Sequence, residues 1–240
     1  MLFYRTFISI FLTFFAIAAS AQQSSLSEQA KTNKRLLPKY GNQPKTSQEL
    51  EADKSFIEST LASPEFKGDR RMASNYFIGR GFDYIYKRDA KTAMYRFNQA
   101  YLLDSTNTDI YWGYGAFYMT DNNLTAARQQ YEAGLKRAPN SSHLLTDYAT
   151  TYLAEYQRLT SEGKTQEAAS AMKSAIINLE KSYAADSKDQ NTLFKLSVCH
   201  FLKGDCSSAR KYYDTCKTLG GKPITQEFTD ALQLQCPPNK

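Results

Sequence analysis

The sequence predicts an all-α protein, built as a solenoid of about four antiparallel helix pairs with a capping helix at each end. Two observations support this prediction. The 240 residues include only 11 glycines and 7 prolines, and aromatic side chains make up 13% of the chain. Few chain breakers and many large rings are typical of packed helices rather than hairpins. The second observation is a self-similarity at a spacing of 34 residues, which indicates a stacked repeat.

The repeat begins after residue 73. Its first unit has six marked positions, and each recurs with a similar residue 34 positions later. A third unit keeps the spacing of the first helix, and a fourth keeps the whole internal spacing. In chain order the sets are Phe77, Gly81, Tyr84, Ala93, Phe97 and Ser105; Tyr111, Gly115, Tyr118, Ala127, Tyr131 and Pro139; Leu145, Ala149 and Tyr152; and Leu193, Ser197, His200, Ala209, Tyr213 and Gly221.

The types of residue that recur have a packing explanation. Two helices approach closely only where the residues at their crossing are small, and large rings beside the crossing fill the remaining space. The small positions are Gly81, Gly115, Ala149 and Ser197 on the first helices, and Ala93, Ala127, Ala175 and Ala209 on the second helices.

The third unit departs from the period. Ala175 lies 48 residues after Ala127, which is 48 − 34 = 14 residues more than the period. The extra residues fall in 155–169 and predict that both helices of this unit are lengthened. Insertions in one unit of a solenoid often make specific contacts, but a tolerated surface extension explains the length equally well.

These units resemble tetratricopeptide repeats (TPRs), whose pattern is an aromatic, a small residue, a tyrosine, an alanine, an aromatic and a closing proline. The resemblance covers residues 74–223 and is strongest in the second unit, which closes with Pro139. It is weakest in the fourth unit, where His200 and Gly221 replace the usual tyrosine and proline. The resemblance implies a right-handed solenoid and a protein-interaction scaffold without enzymatic activity.

The first residues are typical of a secretory signal. Arg5 precedes an apolar run over 7–18, and Ala19-Ser20-Ala21 provides the small residues that a signal peptidase accepts. Cleavage after Ala21 would place the protein in the periplasm or outside the cell. Retention of the run as a membrane anchor is the alternative, although the run is shorter than a membrane span requires.

The remaining chain divides by composition and pattern. We expect a flexible leader, then a capping helix with a linker, then the repeat array, and finally a terminal capping helix with a tail. Thr46 and Glu49 have the spacing of a capping box and mark the start of the first helix. The predicted boundaries are 22–46, 47–73, 74–223 and 224–240, and the array divides into 74–107, 108–141, 142–189 with the insertion, and 190–223.

Charge and motifs exclude several classes of function. The formal net charge of +6 is scattered along the chain, so a nucleic-acid partner is not expected. No membrane span is expected after signal cleavage. His143 and His200 are the only histidines, and neither has metal-ligand spacing to another residue. No catalytic or phosphate-binding motif is present, so the sequence predicts no enzyme activity, no cofactor and no metal.

All four cysteines lie in the last part of the chain. In an oxidising compartment an even number of cysteines suggests disulfides. Cys206 and Cys236 are the favoured pair, since both are expected at the same end of the array, while a bond from Cys199 to either one is the rival. Cys216 stands at a tight helix crossing and is expected to be a buried thiol.

By the TPR resemblance, the first helices line a concave groove that holds a protein or peptide segment. The candidate groove is more apolar than a solvated surface, which indicates an interface. The alternatives are a groove occupied by the N-terminal segment of the same chain, or an enzyme or sugar-binding protein with an unrecognised site. The groove residues are Ile78, Phe82, Ile85, Tyr86, Asp109, Trp112, Met119, Thr146, Thr150, Phe194, Val198 and Phe201.

Overall fold

The computed structural model describes residues 29, 30 and 32–237, and the predicted all-α fold is confirmed for this part of the chain. It contains ten α-helices and no β-strand. The proposed cleavage after Ala21 lies outside the described residues. The helices are α1 (Ser47–Ala62), α2 (Arg70–Tyr86), α3 (Ala90–Leu103), α4 (Asp109–Thr120), α5 (Leu124–Leu135), α6 (Ser142–Ser161), α7 (Thr165–Ala185), α8 (Gln190–Leu202), α9 (Cys206–Thr218) and α10 (Gln226–Gln235).

Each helix pair is joined by a short turn that contains one residue in the left-handed region. Arg88 between α2 and α3 has φ 60°, and Gly204 between α8 and α9 has φ 76°. In these two turns the next residue is an aspartate, Asp89 or Asp205, whose carboxylate accepts a hydrogen bond from the first turn of the second helix. A left-handed residue followed by an N-cap reverses the chain within three residues, so the two helices pack side by side as in TPR units.

The chain forms two compact parts, each larger than a single repeat, that divide after Gln130. The terms first unit and second unit refer below to these two parts and not to single repeats. In the first unit, the fully buried ring of Phe97 on α3 lies between two glycines, Gly81 on α2 and Gly113 on α4. A Cβ atom at either glycine would overlap the ring. The two glycines therefore allow α2 and α4 to approach α3 closely, and their missing side chains are replaced by the Phe97 ring.

The second unit contains the lengthened helix pair and the C-terminal helix. Helices α6 and α7 have 20 and 21 residues, against 13 each in α8 and α9. Their extended ends have a small core of their own around Leu159 and Ala168. The insertion thus adds packed helix rather than loose chain.

The C-terminal helix α10 is fixed to α9 by a disulfide between Cys206 and Cys236, the pair favoured from the sequence. Leu232 of α10 is fully buried in a hydrophobic cluster with Ala209 and Tyr213 of α9. Arg210 of α9 also donates a hydrogen bond of 2.6 Å to the carbonyl oxygen of Cys236. Leu234, two residues after Leu232, is 77% exposed and does not take part in this packing.

Part of the predicted leader, residues 34–42, packs against a helix of the array. Two short turns, Lys34–Leu36 and Pro38–Asn42, lie against α3, and Leu36 is buried. The polar stretch over 22–34 and the interruptions at Pro38, Gly41 and Pro44 predicted weak order, but Asn98 of α3 forms hydrogen bonds with the leader backbone. Residues 22–28 lie outside the described part of the chain.

The space between Gly81 and Gly113 that holds the Phe97 ring, here called the Phe97 slot, gives a test of the fold. Gly81→Ala is expected to lower the free energy of unfolding by about 1–3 kcal/mol, because the buried ring has no room to move. Gly79→Ala is the matched control, since a Cβ there meets open space on the same helix. It should raise stability by about 0.5–1 kcal/mol. Urea unfolding followed by circular dichroism measures both, and equal stability of the two variants would contradict the slot.

The cysteines give a second test. Burial raises the pKa of the Cys199 thiol to about 12 and also raises that of Cys216, so neither forms a thiolate readily. The native protein should therefore take up no iodoacetamide in mildly alkaline buffer. Denaturation should expose two thiols, and reduction in denaturant should expose all 4 cysteines. Mass spectrometry of the labelled peptides identifies the pair, and label on Cys206 before reduction would contradict the structure.

Candidate protein-binding surface

The candidate groove residues of the first unit lie on α2 and α4. On α2, Phe82 precedes Ile85 and Tyr86 by three and four positions, and on α4, Trp112 precedes Met119 by seven. These spacings place each set on one face of its helix. The rings of Phe82 and Trp112 join the two faces, since their centroids are 4.0 Å apart.

This surface is apolar and partly exposed. Phe82, Ile85, Trp112 and Met119 are each partly exposed, and Tyr86 is 83% exposed. We call these five residues the Phe82–Trp112 patch. Large apolar side chains that remain accessible on adjacent helices are typical of a surface that contacts another protein.

Two other candidates in the first unit have different surroundings. Ile78 is 5% exposed and belongs to the hydrophobic core around Phe97, so the structure corrects its assignment to the groove. Its position one helical turn before Phe82 placed it on the same face, but the inner end of that face is covered by α3 and α4. Asp109 is half-buried in the first turn of α4.

Burial affects the titratable groups at the other end of α4. It raises the pKa of the Asp121 carboxyl, which follows the last residue of the helix. It also raises the pKa of the Tyr118 hydroxyl, and the negative charge of Asp121 adds to that shift. These shifts come from packing at the end of the helix, and neither side chain belongs to the patch.

In the second unit, Phe194 and Phe201 are partly exposed and also contact the C-terminal helix. Both rings pack edge-on against Phe228 of α10, with centroid distances of 5.3 and 5.5 Å. The C-terminal helix thus covers residues that the repeat pattern assigns to an open groove. The amphipathic pattern of residues 228–234 predicted a cover for the end of the array, but the period could not show which side chains it would cover.

Thr146 and Thr150 also have structural contacts. The Thr146 hydroxyl is buried, 2.8 Å from that of Ser182 and 2.5 Å from that of Thr192. The Thr150 hydroxyl donates to the carbonyl oxygen of Thr146 over 2.8 Å. Val198, the remaining candidate, is half-buried on α8. The hydroxyl cluster therefore joins α6, α7 and α8, and Thr146 is a core residue rather than a partner contact.

The chain has little sequence similarity to known proteins. The sequence matches no protein-family model, and no curated protein matches it. Among solved structures, that of MamA is 15% identical, and the alignment covers 72% of this chain and 88% of that chain with a TM-score of 0.44. The roles of the patch residues therefore rest on contacts within this chain.

The described residues contain no group of three or more histidine, cysteine or acidic side chains that could hold a metal ion. His200 lies 3.0 Å from Asp205 through Nδ1 and stacks on Tyr212, while His143 lies 3.2 Å from the Ser141 hydroxyl. Each of the two histidines therefore contacts a different polar side chain. In the described part of the chain, no helix is both long and apolar enough to cross a membrane.

The hydroxyl cluster generates a prediction that separates core from surface. Thr146→Val keeps the shape of the side chain but leaves the hydroxyls of Ser182 and Thr192 without one partner. The free energy of unfolding is expected to fall by about 1–3 kcal/mol. Thr150→Val is the control on the same helix, since its hydroxyl bonds locally and is partly exposed. Chemical denaturation measures both, and an equally small loss for the two would contradict a buried network.

Proposed function

We propose that the protein is a non-catalytic interaction scaffold of the cell envelope, which binds a segment of another protein on the Phe82–Trp112 patch. The observation that supports this function best is the Phe82–Trp112 ring pair, which lies on the surface beside a tyrosine that is 83% exposed. Tryptophan and tyrosine supply much of the binding energy in protein interfaces, because they bury large areas and lose few rotamers.

The fold supports a scaffold rather than an enzyme. Paired helices form a rigid frame on which side chains of neighbouring helices make one continuous surface. On the same helix as Phe82, Arg80 and Asp83 form an ion pair with each other at 3.2 Å. The patch itself has no nucleophile, acid–base pair or metal-ligand set, so the chemistry that it supports is apolar contact.

The patch indicates the kind of partner. Its side chains form two short rows, one on α2 and one on α4, and this shape suits a helix or an extended segment with apolar side chains at regular spacing. The envelope location rests on the predicted secretory signal, and a disulfide is consistent with it, because disulfides persist in oxidising compartments.

Occupation of the patch by the chain's own leader is the second possibility raised by the sequence. The described leader residues 33–46 contact α3 through Asn98. They contact α4 through Tyr114, which is not a patch residue. A partner from another molecule is therefore the better candidate for the patch. Residues 22–28 lie outside the described chain, and a deletion of those residues tests whether they compete.

The proposal is tested by affinity capture from an envelope extract with the wild-type protein and a Phe82→Ala, Trp112→Ala double variant. The double variant should weaken the captured complex by about 30-fold or more, the size of effect that central aromatic residues show. The affinity of the purified partner for each protein is then measured by titration calorimetry, because the double variant lacks Trp112, the only tryptophan of the chain.

Ile177→Ala provides the matched control, because Ile177 is 41% exposed on α7, outside the patch. It should retain the partner with unchanged affinity. If the double variant folds like the wild type and captures the same proteins with the same affinity, the patch is not the binding site.

A further inference from the structure

A second surface of the first unit holds the leader in the manner of a bound peptide. The buried side-chain amide of Asn98 donates to the carbonyl oxygens of Arg35 and Leu37 at 2.9 and 3.0 Å. Its oxygen accepts from the backbone N–H of Lys39 at 2.9 Å and from the Tyr114 hydroxyl at 2.8 Å. One asparagine thus uses its whole hydrogen-bonding capacity, and three of its four bonds go to the leader backbone.

Two side chains of the leader fix its register. Leu36 is only 2% exposed, so it acts as an apolar anchor. Three residues later, the Lys39 ammonium donates to the Tyr111 hydroxyl at 2.7 Å and lies 4.5 Å from the centre of that ring, with the Tyr101 ring 5.7 Å away. A cation surrounded by tyrosines is held by charge–quadrupole attraction and by a charge-assisted hydrogen bond.

The backbone of the leader is held in a conformation that it would not adopt alone. Lys39, Tyr40 and Asn42 all have positive φ angles, between 53° and 58°, and Gly41 between them has φ 65°. Left-handed conformations are unfavourable for residues with a Cβ atom, so the contacts with α3 and α4 must compensate for them. This is expected of a segment that is shaped by its binding site.

The segment can leave without disrupting a helix. Residues 43–46, which connect it to α1, have no helical structure, and none of the residues of α1 itself is buried. Each hydrogen bond that joins the leader to α3 or α4 uses a side chain of the helix. Residues 43–46 therefore have the properties of a hinge, and the leader before them has those of an arm that binds to the helices.

From these observations we propose that the surface formed by Tyr101, Asn98, Tyr111 and Tyr114 is an exchangeable segment-binding site, and that its occupant in trans is the leader of a second copy of this chain. The site recognises leucine and, three residues later, lysine. Reciprocal exchange fills both sites and restores the contacts of the leader with α3 and α4, so its cost is mainly the entropy of association. The leader in cis has a high effective concentration, and the exchanged dimer therefore forms only in concentrated protein.

The exchanged dimer would carry two Phe82–Trp112 patches, because the leader site shares no residue with the patch. Two linked sites bind a partner with two matching segments more tightly than either site alone. The exchange site stands independently of the proposed function, since its test requires no partner protein.

Complementation between two full-length variants tests the proposal. Leu36→Asp disables the leader and keeps the site, whereas Asn98→Ala disables the site and keeps the leader. Each variant alone should remain monomeric at concentrations where the wild type dimerises, and their equimolar mixture should form a heterodimer through the one intact leader and the one intact site. Sedimentation equilibrium measures the masses, and circular dichroism checks that both variants are folded.

A mixture that stays monomeric although both variants are folded overturns the proposal. So does a dimer formed by the double variant that carries both Leu36→Asp and Asn98→Ala, because that dimer would use another surface.

A peptide-binding assay keeps the test valid if Asn98→Ala prevents folding, and Leu36→Ala replaces Leu36→Asp in this assay if the aspartate variant does not fold. A labelled peptide of residues 29–46 should bind saturably to the Leu36→Asp chain. Lys39→Met in the peptide, or Tyr111→Phe in the protein, should weaken this binding by about tenfold, since either change removes the charge-assisted hydrogen bond. Failure of the wild-type peptide to bind the folded Leu36→Asp chain contradicts a site that accepts the segment in trans. Equal binding of the Lys39→Met peptide contradicts the recognition of lysine.

Discussion

The first unit depends on the position of one ring, that of Phe97, in a slot between two glycines. Because Gly81 and Gly113 have no side chains, α2 and α4 can both contact this ring, and it is fully buried between them. Phe82 lies beside the slot, with its ring centroid 5.5 Å from that of Phe97 and 4.0 Å from that of Trp112. The slot therefore fixes the separation of the two helices whose outer side chains form the patch. A larger residue at either glycine would alter the core and the surface together.

Much of this arrangement could be predicted from the sequence, because a period of 34 residues fixes which positions of each helix pair are small and which are large. It identified Gly81 and Ala93 at the crossing, and the positions of Cys206 and Cys236 near one end of the array. It did not identify Gly113, which falls two residues before the repeat position Gly115. A close approach by a ring from the preceding helix depends on the distance between helices, and a repeat pattern in one sequence does not contain that distance.

The corrections share a physical cause. A repeat pattern shows which face of each helix points inward, but not which part of the same chain covers a face at the end of an array. Phe194 and Phe201 occupy groove positions, yet the C-terminal helix packs on them through Phe228. The leader has a polar composition typical of disorder, yet one buried asparagine, Asn98, binds its backbone. The leader and the C-terminal helix, at the two ends of the described chain, thus each cover a helix surface. The Phe82–Trp112 patch is an apolar surface that neither of these two segments covers.

The central claim is that the Phe97 slot sets the geometry of the Phe82–Trp112 pair, and the emission spectrum of the single tryptophan tests it directly. Gly113→Ala forces the Phe97 ring to move, so Trp112 should lose part of its cover by Phe82, and its emission should shift to longer wavelength with stronger quenching by acrylamide. Gly79→Ala, which meets open space, should leave the spectrum unchanged. A folded Gly113→Ala protein with the wild-type spectrum and quenching would contradict the claim, because the ring pair would then be independent of the slot beneath it.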